Sequence, residues 1–227
     1  MTLRHALAAA AIALPAAAHA DALQDRLVVA ARANQADGHG FQRTVTIERT
    51  GAARKVVTEQ YDPRRASAER WSLLSVDGHT PTPKEQKDWA KADRGPAQSY
   101  ANLAKWLGTA ATRSDLAGGA VLYRYPRLPA GTIKIGSHDA SADTQAEVLV
   151  NTRSPVPFAE RIRLSSTKGF RIMLVASLKT MVVDSRYRQL PGGPVVPAGA
   201  TSDITGSLMG KSGMLKTVIS YSDLRGR

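Results

Sequence analysis

Residues 41–61 read FQRTVTIERTGAARKVVTEQY. Phe41, Val45 and Ile47 fall on one side of an extended chain, and Gln42, Thr44, Thr46 and Glu48 fall on the other. A run rich in Thr and Val with that alternation is a half-buried antiparallel strand. RTGA at 49–52 makes a turn, RKVVTEQY gives a second strand, DPRRASAE at 62–69 a loop, and RWSLLSV at 70–76 a third strand. Three strands joined by short connections predict a meander.

Downstream, Asp77-Gly78 ends the third strand, and Thr82-Pro83-Lys84-Glu85 supplies an N-cap, a first-turn proline and an N3 glutamate for a helix bearing Trp89. A second helix is predicted from about Ala97 to Ala111, aligning Tyr100, Leu103, Ala104, Leu107 and Ala111 with Trp106 at the stripe's edge. Alternation resumes beyond Gly118, where Val121, Tyr123 and Tyr125, then Ala146, Val148 and Val150, then Ile162 and Leu164 make apolar faces. GFRIMLVASLKTMVVDSRYRQL at 169–190 is apolar on both sides and reads as one doubly covered strand. PGGPVVPAGA at 191–200 reads as a loop, followed by strands near 202–209 and 214–221. Upstream, DALQDRLVVAARAN at 21–34 has helical spacing and opens with Asp21 and Gln24 in a capping arrangement. The sum is an α+β fold: roughly nine to eleven antiparallel strands in one large sheet, with helices on a single face.

The first residues, MTLRHALAAAAIALPAAAHA, place Arg4 before an apolar run and end on Ala18-His19-Ala20. This is the pattern of a secretory signal peptide cleaved after residue 20, leaving 21–227 as one domain. No later stretch approaches the about 18 apolar residues of a membrane helix, so the expectation is an exported, soluble, periplasmic protein. Cysteine is absent, which removes disulfides, thiolate sites and a lipid-attachment cysteine together.

Catalytic signatures are weak. His39, His79 and His138 lie in separate turns without metal-helix spacing and read as exposed turn residues. Ser137-His138-Asp139 has the letters of a triad, but neighbours on an extended chain point in opposite directions. In TGSLMGKSG at 205–213, Thr205 stands where a phosphate loop needs its first glycine, and no helix follows. The expectation is a protein that is not an enzyme and that uses no cofactor and no metal.

Charge is better organised. The formal net charge is +12, which favours anionic partners, and an exported address sets nucleic acid aside. Between Arg161 and Arg188 seven cations face one acid, Asp184, and Arg161, Arg163 and Arg171 could share a basic sheet face suited to phosphate or carboxylate oxygens.

The order of these parts resembles the periplasmic outer-membrane lipoprotein-sorting carriers of the LolA/LolB type. The resemblance rests on DALQDRLVVAARAN, FQRTVTIERT, KVVTEQYDP, RWSLLSVDGHTPTPKEQKDW, GFRIMLVAS and TVISYSDLR, and covers most of the chain. It implies a strongly curved, incomplete β-barrel whose concave face, lidded by helices, binds lipid or lipoprotein acyl chains. Ligand-facing positions would be Phe41, Val45, Ile47, Trp71, Leu73, Phe170, Ile172 and Leu174. Trp89, Tyr100, Leu103, Trp106 and Leu107 would form the lid, and Arg161, Arg163 and Arg171 would meet a headgroup. Such a carrier is expected to be a monomer with transient contacts to membrane or envelope proteins. The alternative is an envelope scaffold whose filled sheet docks an anionic glycan or a protein through its basic face.

Overall fold

The structure, a computed structural model, describes residues 21–34, 38–91, 100–173 and 176–226. The expected signal peptide and Leu174 lie outside them.

Helix α1 (Ala22–Ala33) starts where its cap is written: the Asp21 carboxylate accepts a hydrogen bond from the Gln24 backbone N–H at 2.9 Å. The predicted meander follows as β1 (Gly40–Arg49), β2 (Lys55–Tyr61) and β3 (Trp71–Val76), with Phe41 opposite Tyr61 and Tyr61 opposite Trp71. Helix α2 (Pro83–Ala90) has the full reciprocal cap, Thr82 accepting from the Glu85 N–H while the Glu85 carboxylate accepts from the Thr82 N–H.

The α-helix expected over 97–111 is not formed in its described part. Tyr100–Lys105 is instead a 3-10 helix that turns out at Trp106 and Leu107, and the chain then enters β4 (Thr112–Asp115). Over so short a stretch, Tyr100, Leu103 and Trp106 align as well on a three-residue period as on an α-helical one.

The remaining strands are β5 (Val121–Tyr125), β6 (Lys134–Ile135), β7 (His138–Asp139), β8 (Thr144–Asn151), β9 (Phe158–Ser166), β10 (Phe170–Met173), β11 (Ala176–Gln189), β12 (Val195–Leu208) and β13 (Lys211–Arg225). One eleven-stranded antiparallel sheet runs β3-β2-β1-β13-β12-β11-β9-β8-β5-β4, with β10 attached to β11, while β6 and β7 form a separate ribbon. The sheet is not closed: β3 and β4 are its two ends. This is the expected α+β architecture, a large curved antiparallel sheet with its helices on one face.

Two readings of the last third need correction. The single strand expected over 169–190 is a hairpin, β10 against β11, with Phe170 opposite Leu178 and Arg171 opposite Ser177. The loop expected over 191–200 ends at Pro194, and residues 195–200 belong to β12. Pro197 is tolerated inside β12 because it sits at a register shift between Arg186 and Tyr187 of β11, where a missing N–H costs no regular ladder bond.

The core lies where α1 and the 3-10 segment cover β5, β8 and β9. Leu27, Ala31, Leu107, Tyr125, Val148 and Ala159 are sealed there completely. Each fully buried Leu, Val or aromatic side chain contributes about 1.5–3 kcal/mol. Polar sutures hold α1 down at both ends. The buried Gln24 amide donates to the Leu107 and Thr109 carbonyls, each at 2.6 Å, and Asn34 exchanges two hydrogen bonds with the Val195 backbone.

Candidate functional site: a trough on the inner face of the sheet

Residues paired across antiparallel strands share a face, so the registers trace what lines the helix-covered side. One row runs Tyr123, Val148, Ile162, Ser185, Ala200, Ile219, Val45, Val57. The next runs Tyr125, Ala146, Leu164, Val183, Ser202, Thr217, Ile47. Both rows begin with large residues buried under α1 and reach small ones, Ser185, Ala200, Ser202 and Thr217, at the middle strands. Short side chains there leave the inner face under-filled.

A groove of about 500 Å³ opens at this transition. Its floor is Ile162 and Leu164 of β9 with Val183, Ser185 and Tyr187 of β11; its walls are Leu103 of the 3-10 segment, Trp106 just after it, and the loop 128–133, including Leu128 and Ile133. Trp106 is pinned edge-on against Tyr125, and Tyr187 edge-on against Tyr100, whose hydroxyl accepts from the Ala159 N–H at 2.6 Å. Burial pushes the Tyr187 phenol up to about 12, so the groove presents it as a neutral donor. Asn102 and Lys105 are the exposed polar groups at the mouth. Beyond the groove the apolar surface continues over half-buried Ile204, Ile219, Val45 and Ile47. The volume falls in the usual range for small-molecule sites, about 300–1,000 Å³, and the lining mixes apolar side chains with nearly as much polar surface, from Asn102, Lys105, Thr132, Ser185, Tyr187 and the loop backbone.

The loop 128–139 is fastened to the sheet. His138 stacks on Phe170 with ring centroids 4.3 Å apart, and the Asp139 carboxylate accepts from the Ser141 hydroxyl and from the Ser141 and Gly131 N–H groups. Those bonds hold the Asp139 carboxyl below its ordinary range. Asp139 is therefore a loop brace, and the Ser137-His138-Asp139 letters do not converge. His138 and His39 are half-buried, not the exposed turn residues expected, and each has one ring nitrogen without a hydrogen-bond partner.

At the far flank the inner face ends in an aromatic cluster. Phe41 stacks on Tyr61 at 5.2 Å and meets Trp71 and Tyr221 edge-on. Beside it the buried Glu59 takes the Arg43 guanidinium at 2.6 Å and the Trp89 indole N–H at 2.5 Å, while Arg43 lies 4.1 Å over the Trp71 ring. A buried carboxylate so compensated is a structural tie, and it docks α2 on the inner face.

The positions expected to meet a ligand thus divide. Leu103 and Trp106 line the groove, and Val45 and Ile47 lie on its continuation across the sheet. Tyr100 and Leu107 are sealed in the core beneath α1. Phe41 and Trp71 belong to the far aromatic cluster, Leu73 pairs with Glu59, and Trp89 lies on Glu59. Phe170 sits under His138, and Ile172 faces the turn at Gly136.

Arg161 and Arg163 stand on the opposite side of the sheet from the groove, since alternation along β9 turns Ile162 and Leu164 inward and the arginines outward. Arg161 is held there by Asp184 at 2.8 Å. Arg171, opposite Ser177, is likewise out of the groove. The groove residues that the sequence reading passed over as ligand contacts are Leu128, Ile133, Ile162, Leu164, Val183 and Tyr187. Alternation marked Ile162 and Leu164 as inward-facing, but nothing local distinguishes a groove floor from a filled core.

Among the described residues no group of three or more His, Asp or Glu side chains is placed to hold a metal ion, and no helix is long and apolar enough to cross a membrane. No family model and no curated protein matches the chain. Two solved structures are similar over nearly the whole length at 12% identity. One is a DUF1329 family protein from Desulfovibrio piger, covering 90% of this chain and 92% of that one with a TM-score of 0.38. The other is a LolA superfamily protein from Nitrosomonas europaea, covering 93% and 94% with a TM-score of 0.33. At these identities neither likeness assigns a ligand.

Proposed function

We propose that the chain is a non-enzymatic periplasmic carrier that holds a lipid or lipoprotein acyl chain in the trough. The observation that supports this reading is the groove itself, a space of about 500 Å³ on an unclosed sheet, with Ile162, Leu164 and Val183 on its floor and Leu103 and Trp106 in its wall. An acyl chain entering it gains about 0.8 kcal/mol for each methylene it withdraws from water. Trp106 and Tyr187 give the space rigid walls, and Lys105 at the mouth offers a cation to a headgroup. No pair of side chains at the groove has the geometry of a nucleophile with its base: Ser185 and Tyr187 have no histidine or carboxylate among the groove's lining. Binding and release are the reading this lining supports.

The scaffold alternative draws less support, because the outer-face cations it needs are in part already engaged, Arg161 with Asp184 and Arg124 with Glu147 at 3.0 Å. Native mass spectrometry of protein purified from the periplasm tests the reading. Lipid should co-purify with the parent and be lost from Leu103→Arg, with the fold retained by circular dichroism; equal lipid on both proteins, or none on the parent, overturns it.

A further inference from the structure

Five exposed large apolar side chains of the described chain lie on the β12–β13 hairpin: Leu208, Met209, Met214, Leu215 and Val218. Met209 at the tip is 77% exposed and Leu208 58%. The tip is a tight turn, Met209 at φ 52° and Gly210 at φ 78°, so these side chains are displayed on a stiff two-stranded arm.

The pairing puts the β1–β2 turn beside this tip, because the Thr50 N–H donates to the Met214 carbonyl and the Met214 N–H to the Thr50 hydroxyl. On the other side β10–β11 joins it, Ala176 opposite Leu208. These three segments bring exposed Arg49, Arg54, Lys55, Arg171, Lys179 and Lys211 to one end of the sheet, and stretches 49–55, 170–179 and 208–215 contain no acid. Glu48 reaches one of these cations, Arg54, at 3.6 Å, and the Asp77 carboxylate accepts from the Val56 N–H at 2.7 Å.

An exposed apolar tip flanked by cations on the adjoining hairpin ends is complementary to one kind of surface, an anionic lipid bilayer, into which the tip inserts while the cations meet headgroup phosphates. We propose that this end of the sheet, led by Leu208 and Met209, docks the protein on an anionic membrane. An acidic glycan or protein would satisfy the cations and leave the apolar tip in water. The trough's inner face runs to this same end through Ile204, Gly206 and Leu215, so docking would set the open end of the trough against the bilayer.

Vesicle flotation of the purified full chain tests this. Binding should be strong to phosphatidylglycerol/phosphatidylcholine vesicles, weak to phosphatidylcholine alone, and reduced by salt. Met209→Asp with Leu208→Ser, and separately Lys179→Glu with Lys211→Glu, should each weaken binding on the order of tenfold or more, in the same chain background. Both variants should keep the parental thermal midpoint and the parental uptake of a fluorescent fatty acid from solution, which separates this proposal from the reading of the groove. Vesicle binding unchanged by either pair overturns it. So does binding to a soluble anionic polymer that depends on the lysines and equals binding to vesicles, because that outcome leaves the apolar tip without a role.

Discussion

The side-chain amide of Gln24 reaches 83 residues along the chain to the carbonyl of Leu107, donating at 2.6 Å within the core. The same nitrogen donates to the Thr109 carbonyl, and Tyr125 adds its hydroxyl to Leu107 at 2.8 Å. One polar side chain of α1 thus ties down the exit of the 3-10 segment that walls the groove.

Gln24→Leu keeps the volume and removes the donor, leaving the Thr109 carbonyl without it. The expected cost is about 1–3 kcal/mol, read as a lower denaturant midpoint. A midpoint equal to the parent's would show that water replaces the amide at no cost.

Val183 sits half-buried on the groove floor. Val183→Trp should fill the space and weaken binding of a fluorescent fatty acid by roughly tenfold, the loss of about two methylene contacts. Stability should change by less than about 1.5 kcal/mol, because the added ring enters open space instead of packed core. A large loss of stability would mean that the groove is not open at Val183.

Five phenols, Tyr100, Tyr123, Tyr125, Tyr187 and Tyr221, are all pushed up, foremost by burial. The fold favours their neutral forms, so their stabilising contribution is complete below the unfolded value of about 10 and is lost as pH rises through the folded values. Phenolate absorbance should therefore lag free tyrosine in alkaline titration and rise together with the loss of circular dichroism. Titration of all the tyrosines near the free value, with the fold intact, would contradict the burial.

Gly206 lies where β12 crosses the register shift of β11, and a Cβ there would fall well inside contact distance of the Ser177 carbonyl oxygen. Gly206→Ala should cost about 1–3 kcal/mol by forcing the two backbones apart. Gly192→Ala, in an open turn, isolates the effect: its added methyl meets nothing within 4 Å and leaves only the cost of φ 88°.

Much of the fold is local and was legible. The Asp21 and Thr82 caps, each strand of the 41–76 meander and the alternation within β5, β8 and β9 are each written within a dozen residues. What failed depended on partners far away. Pro197 marks a loop by itself and becomes a strand residue only because β11 shifts register beside it. The apolar run at 169–190 looks like one strand until β10 folds back on β11.

The trough was the least visible feature. It opens where the inner face passes to Ser185, Ala200, Ser202 and Thr217, and small residues carry no signal until their strands are put in register. The chain's last strand, β13, must lie between β1 and β12 for that to happen. The headgroup assignment turned on parity: Arg161 and Arg163 are one residue away from Ile162 and Leu164, and one residue is the difference between the two sides of a sheet.

Closed barrels have a bore set by strand number and stagger. Here Trp71–Val76 and Thr112–Asp115 terminate the wall without meeting, so nothing in the hydrogen-bond ladder dictates its width. The width follows instead from the struts on the inside, Gln24 and Asn34 on one flank and the Glu59 tie on the other. Such a wall can widen by lengthening or slackening these few polar contacts, with every rung of the ladder left in place.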